Sequence, residues 1–464
     1  MRKTLYVFLM YILLFTLTVY AQDAHKAKYI FLFIGDGMGI IHVNATEAYR
    51  AALEGKIGNK KLNFTQFPSV AVATTYAADR YITDSGAAGT ALATGNKTAI
   101  ETISMDASKR KKFKSIARMA KEKGMKVGIV TTVFMNDATP AVFYAHQSNR
   151  SMLKEISREL ATSDFDFFGG GGLLKTKNAS ELLASNGYSY FENKRVLDDI
   201  NKNHGKVYLA CPVRDEAEAC RYSIDQNSED IPLKDITKKA IEVLDNPNGF
   251  FVMIEGGKID WAAHVNDAGS VFGDVIAFDD AIAEALKFYQ KHQEETLIVV
   301  TSDHETGGMS LGTASMEYDL ALAKIKNQKI SVYELDKMIN EYKSKHTPDA
   351  SKLSDVMPFV TMNFGLGDKK KGLELTSDDK VILNNAFYET INSKKKQKNK
   401  DSEVFSMEVS RMLDQKAGIS WATFVHTGAP VLIFSKGNGA DLFKGYIDNT
   451  DVPKNIIKAA GLNN

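Results

Sequence analysis

Residues 29–34 read Tyr-Ile-Phe-Leu-Phe-Ile and run straight into Gly35-Asp36-Gly37-Met38-Gly39. Six consecutive aromatic, β-branched or aliphatic residues make a strand buried on both faces, the kind that fills the middle of a parallel sheet. The glycines end the strand, and Asp36 falls just beyond its carboxyl end, where open parallel sheets bind their ligands. Working outward, runs of the same kind recur at Val127 to Thr132, Phe250 to Ile254, Thr296 to Thr301 and Pro430 to Phe434. Helical patterns lie between them, at Phe113 to Lys123, Leu233 to Leu244 and Ala268 to Lys291. This alternation predicts an α/β fold with a central, mostly parallel β-sheet flanked by helices on both faces. The segment from Met309 to about Ile419 breaks the alternation with Met-, Lys- and Asp-rich helical stretches, and is expected to be an inserted cap or lid. Its lysine clusters, Lys369 to Lys371 and Lys394 to Lys400, read as solvated loops.

With 464 residues, 44% of them hydrophobic, the chain can bury a sizeable core. Lys plus Arg (58) balances Asp plus Glu (57), so no overall field recruits nucleic acid or an anionic membrane. Arg2 and Lys3 precede an uncharged run from Leu5 to Tyr20, and small side chains at Val19 and Ala21 suit cleavage after residue 21. A signal peptide over residues 1–21 is therefore expected, with one mature domain over 22–464, no membrane anchor after cleavage, and a periplasmic or secreted destination. Cys211 and Cys220, nine positions apart, leave a local disulfide and two unpaired thiols as alternatives.

Metal-ligand residue types collect at three strand ends. Asp36 follows the first run, Glu255 the third with Asp260 and His264 after it, and Asp303-His304-Glu305 the fourth. An aspartate after a strand is ordinarily a turn or cap residue, but recurrence at three ends points to a shared site. Asp260 and His264, four apart, share one face of a helix and can chelate one ion. Mixed carboxylate and imidazole groups suit zinc, whereas the all-oxygen set Asp36, Thr139 and Glu255 suits magnesium. Ser85, in Thr83-Asp84-Ser85-Gly86-Ala87-Ala88-Gly89-Thr90-Ala91, stands before a run of small residues that can open a helix. It reads either as an N-cap or as a nucleophile at an anion-binding helix N-terminus.

Across almost the whole length after residue 21, the chain resembles the alkaline phosphatase family. The resemblance rests on Phe33 to Gly39, Thr83 to Gly95, Asp137-Ala138-Thr139-Pro140 with Arg150 thirteen residues on, Glu255-Asp260-His264, Asp303-His304, and His426-Thr427-Gly428, in the family's order. It implies two Zn2+ ions and one Mg2+. The implied ligands are Asp260, His264 and His426 for the first zinc, and Asp36, Asp303, His304 and the Ser85 oxygen for the second. Asp36, Thr139 and Glu255 would hold magnesium, with Asp137 acting through water. It further implies hydrolysis of phosphate monoesters through a phosphoserine at Ser85, with Arg150 gripping the phosphate. Homodimers are common in the family. Asp137 and Trp261 depart from the histidine and lysine of many members, which puts third-site metal preference and phosphate affinity in question. The alternatives are phosphodiesterase or sulfatase chemistry on a related bimetallic scaffold, and a non-catalytic metal- or phosphate-binding protein.

Overall fold

The structure is a computed structural model describing residues 26–462 apart from 216, 315 and 394–401. The expected signal peptide and the Lys394 to Lys400 cluster lie outside the described residues. Ten strands form one sheet: β1 (Tyr29–Ile34), β2 (Ser69–Thr74), β3 (Lys126–Thr131), β4 (Phe167–Gly170), β5 (Tyr188–Phe191), β6 (Lys206–Ala210), β7 (Phe250–Glu255), β8 (Thr296–Thr301), β13 (Val431–Gly437) and β14 (Gly445–Asp448). Their spatial order is β14-β2-β13-β8-β1-β7-β3-β4-β6-β5. Every neighbouring pair is parallel except the two made by β13, which runs against both β2 and β8.

Strand β1 shows why the sheet needs cover on both sides. Its side chains alternate in direction. Tyr29, Phe31 and Phe33 enter one core with Val252, Ile254 and the helices Leu233–Leu244 and Ala268–Tyr289. Ile30, Leu32 and Ile34 enter another with Phe251, Met253 and the helices Ile116–Glu122 and Asp451–Ala460. All six are fully or almost fully buried, so a continuous apolar run is what this position requires.

The expected strands and helices are present, with small shifts in their ends. The helix expected from Phe113 begins at Ile116, because the Ser115 hydroxyl accepts the Arg118 N–H and caps it. The run expected at Pro430 to Phe434 forms the strand Val431–Gly437, antiparallel to its neighbours, a direction that residue pattern does not encode. Short strands such as β4, Phe-Phe-Gly-Gly, lie below what periodicity detects.

The segment after His304 leaves the sheet through β10 (Met309–Leu311) and returns through β11 (Ile419–Trp421), which pair antiparallel with each other. Between them run the helices Val332–Lys345, Leu353–Phe364, Ser377–Asn392 and Val404–Ala417. Their Leu335, Ile339, Phe387, Phe405 and Leu413 belong to the same core as Phe33. The Lys369 to Lys371 cluster is exposed, as expected. Cys211 and Cys220 are joined in a disulfide. Among the described residues, no helix is long and apolar enough to cross a membrane.

Phe33 is fully buried and meets Phe278 edge-on at 5.8 Å between ring centroids. Phe33→Ala is expected to lower the unfolding free energy by about 3–5 kcal/mol, measured by urea denaturation, and a loss below about 1 kcal/mol would show that the two cores are not rigidly coupled through β1.

Candidate active site

Register sets the site. Ile34 pairs with both Glu255 of β7 and Thr301 of β8, and Thr131 of β3 also pairs with Glu255. Four adjacent strands thus end level, and Asp36 and Asp303, each two residues beyond its strand, project at the same height. The turn after β1 is closed by Gly37, at φ +64°, whose N–H donates to Asp303 Oδ1 at 3.2 Å. A Cβ on Gly37 would lie 2.7 Å from both Asp260 Oδ1 and Thr306 Oγ1, so only glycine lets the turn approach the facing loops this closely.

Asp36, Asp137, Glu255, Asp260 and Asp303 are all buried. One oxygen each of Asp36 and Asp303, and both of Glu255, accept no hydrogen bond among the described residues. Burial, then the carboxylates of Asp303, Asp260, Glu255 and Asp137, push the Asp36 carboxyl well above its ordinary range. Burial pushes Glu255 up to about 8 and Asp303 up to about 7. Buried acceptors without donors, crowded by like charge, call for cations.

The histidines point the same way. His264 Nδ1 lies 2.7 Å from the Phe424 carbonyl and His426 Nδ1 lies 2.9 Å from that of Thr83. A carbonyl only accepts, so each Nδ1 carries hydrogen, and in the neutral rings each Nε2 presents a lone pair. Those two Nε2 atoms face each other at 3.2 Å, with Asp260 Oδ2 3.4 Å from that of His264. Burial lowers the pKa of His426, favouring its neutral ring. Facing lone pairs beside a carboxylate are relieved by a shared metal ion.

Two groups offer ligand atoms within 4.8 Å of one another: Asp260, His304 and His426, and Asp36, Asp303 and His304. His304 Nε2 lies 3.3 Å from both Asp36 Oδ1 and Asp303 Oδ2, and its ring stacks on His426 at 3.6 Å. Ser85 Oγ lies 3.2 Å from the same nitrogen. Thr139 Oγ1 donates to Asp36 Oδ2 at 3.3 Å, on the side away from the histidines' group. Of the residues expected as ligands, Asp36, Thr139, Asp260, His264, Asp303, His304 and His426 are thus brought into contact with one another, Glu255 ends β7, and Asp137 meets Arg150.

Ser85 opens the helix Ser85–Thr94, and the N-cap role falls to Asp84, whose side chain accepts the Ala87 N–H at 3.0 Å. The serine hydroxyl is therefore left to the site. Arg150 is held from two sides, by Asp84 Oδ2 at 3.2 Å and Asp137 Oδ1 at 2.9 Å. Burial works against its charge, but Asp137 and Asp84 outweigh it and hold its pKa above the ordinary value. Ser85, Arg150, Asp260, His264 and His426 all line a cavity of about 450 Å3.

A family model described as alkaline phosphatase matches residues 27–167 and 161–462. The chain belongs to the alkaline phosphatase family. It is 31% identical over 452 residues to alkaline phosphatase 4 of Bacillus subtilis (strain 168), covering 94% of this chain and 89% of that one. The cold-active alkaline phosphatase of the psychrophile Shewanella sp. superposes with a TM-score of 0.78 at 28% identity, over 93% of this chain and 99% of that one. The Thermus thermophilus enzyme shares the fold, with a TM-score of 0.78 at 22% identity over 96% and 94%. As a member, the chain is a phosphate monoester hydrolase, and the family's use of divalent metals matches the donor set just described.

Three parts of the site have roles that the sequence alone does not show. Asp84 was read only as part of a motif, although it holds Arg150. Glu305 accepts the Gly308 N–H at 2.9 Å and the Thr427 hydroxyl, tying the loop of His304 to that of His426. Lys258 and Asp215, in contact at 2.7 Å, carry no local signal at all.

If cations neutralise the carboxylates, chelation must cost stability. Dialysis against a chelator is expected to lower the calorimetric melting temperature, and excess zinc and magnesium to restore it, a ligand at a hundredfold its Kd contributing about 2.7 kcal/mol. An unchanged melting temperature after metal analysis confirms removal would contradict this account of the site.

Proposed function

We propose that Ser85 is the nucleophile of a two-step hydrolysis and that Arg150 binds the phosphoryl group. The observation that carries this reading is that both line one cavity, with the serine released from capping by Asp84 and the guanidinium braced by Asp84 and Asp137. In the first step Ser85 Oγ bonds to phosphorus, the ester bond breaks, and the alcohol departs with a proton while the serine proton goes to solvent. Water then attacks the phosphoserine, releasing phosphate and restoring the hydroxyl. Arg150 can hold two non-bridging oxygens at once and so orients phosphorus for in-line attack. Its two-oxygen grip suits a monoester better than a diester, which presents one fewer ionised oxygen.

Asp260, His264 and His426 would hold one zinc ion, and Asp36, Asp303 and His304 with Ser85 a second, while Asp36, Thr139 and Glu255 would hold magnesium. Bound there, the ions neutralise the phosphate dianion, acidify serine and water, and stabilise the alkoxide leaving group. The buried carboxylate oxygens of Asp36, Glu255 and Asp303 that accept no hydrogen bond support this reading. The residues from 309 to about 419 form a cap whose Tyr333 reaches the cavity. The Cys211–Cys220 disulfide supports an oxidising, exported setting.

Ser85→Ala is expected to abolish nearly all hydrolysis of p-nitrophenyl phosphate while keeping the metal content, since carboxylates and imidazoles remain. Near-normal turnover in the purified variant would refute the nucleophile assignment. Arg150→Ala is expected to raise KM and lower kcat, with a larger loss for monoesters than for diesters; equal losses would refute its role.

Asp137 carries a double duty, since it braces Arg150 and can accept hydrogen bonds from water on magnesium. Asp137→His should let zinc compete for the third site, imidazole being the better zinc ligand, and should weaken phosphate binding through the lost brace. Metal analysis after dialysis against mixed zinc and magnesium checks the first effect and inorganic phosphate inhibition the second. Unchanged metal ratios would leave Asp137 with only its contact to Arg150.

A further inference from the structure

The cavity is lined by more than the groups that would handle phosphate. At about 450 Å3 it falls within the range of about 300–1,000 Å3 typical of sites for whole small molecules. Besides Ser85, Arg150, Asp260, His264 and His426, its lining includes Tyr222, Trp261, Tyr333, Lys258 and Asp215. The cavity thus combines these charged groups with an aromatic cluster gathered around Lys258.

The aromatic cluster is rigidly built. Lys258 is almost fully buried and its ammonium contacts Asp215 Oδ2 at 2.7 Å. The same nitrogen stands 4.2 Å from the centroid of Tyr222, 4.3 Å from that of Trp261 and 6.0 Å from that of Tyr333. One desolvated cation thus holds three rings through their faces. Phe134 backs Trp261 at 6.1 Å. Asp215 is itself fixed, accepting the N–H groups of Ala217 and Ala219 at 2.9 Å each, inside the loop closed by the Cys211–Cys220 disulfide. Such a wall binds a flat group at small cost, because the rings are already ordered. Lys258 is committed to Asp215, so it does not serve a second phosphate; a neutral leaving group fits this cluster better than an anionic one.

We infer that Trp261, with Tyr222 and Tyr333, forms a leaving-group site that favours phosphate monoesters whose alcohol carries a planar aromatic ring, as nucleoside 5′-monophosphates do. This rests on the monoesterase reading above. The ring of the leaving group stacks on Trp261 while its phosphoryl group meets Arg150 and Ser85. Trp261 here is a specificity residue, not a member of the proposed chemical step.

The test compares adenosine 5′-monophosphate with ribose 5-phosphate, which share the same primary ester and differ only in the base. For the metal-loaded wild type, kcat/KM for the nucleotide is expected to exceed that for the sugar phosphate on the order of tenfold, the scale of base–aromatic stacking. Trp261→Ala should bring that ratio close to one, and Trp261→Phe should keep most of it. General damage to the phosphate-binding groups cancels in the ratio. A wild-type ratio near one, or a ratio that Trp261→Ala leaves unchanged, overturns the inference. If the wild type hydrolyses neither ester, the monoesterase reading fails instead. Calorimetry then decides the site separately: adenosine should bind the wild type and lose affinity with Trp261→Ala, and equal binding to both overturns the inference.

Discussion

Mutual repulsion among buried carboxylates is the constraint around which this molecule is organised. Asp36, Asp137, Glu255, Asp260 and Asp303 come together because four neighbouring strands end in register, and no fold would place them there for stability alone. The sheet must be stiff enough to hold them against that repulsion. Two aromatic and aliphatic cores, one on each face of β1, supply the stiffness. The cost in the metal-free chain is the same feature that gives high affinity for cations when they are present.

A second layer of contacts fixes what the strands deliver. Gly37 clasps Asp303, Glu305 ties the loops of the two stacked histidines, and the carbonyls of Phe424 and Thr83 set the tautomers of His264 and His426. Asp84 both caps the helix that Ser85 opens and braces Arg150. One carboxylate therefore fixes both the start of the helix that carries Ser85 and the guanidinium of Arg150.

Much of this was legible in the residues. The apolar runs announced the central strands because full burial leaves no room for polar alternation, and the ligand types stood at strand ends because the sheet's geometry puts ligands there. The direction of β13 was not legible, since a buried strand looks alike in either direction. Nor was the short strand β4, whose four residues show no period. Ser85 could not be told from a cap by its own neighbourhood; that Asp84 caps instead is a fact of side-chain direction. Lys258 and Asp215 are 43 positions apart in sequence, and only the fold reveals that they meet. The resemblance to a family carried the ligand set further than spacing alone could.

The helical segment between β10 and β11 leaves and re-enters the molecule side by side, through two three-residue strands paired with each other. Because its ends are pinned together, the intervening length can grow or shrink without moving the strands that bear the ligands, and each doubling of a flexible loop costs only about 0.6 kcal/mol of closure entropy. The architecture thus separates an invariant chemical frame from a replaceable roof. A change of the segment at that joint reaches the cavity through Tyr333, while Trp261 and Tyr222, which lie outside the segment, keep their places.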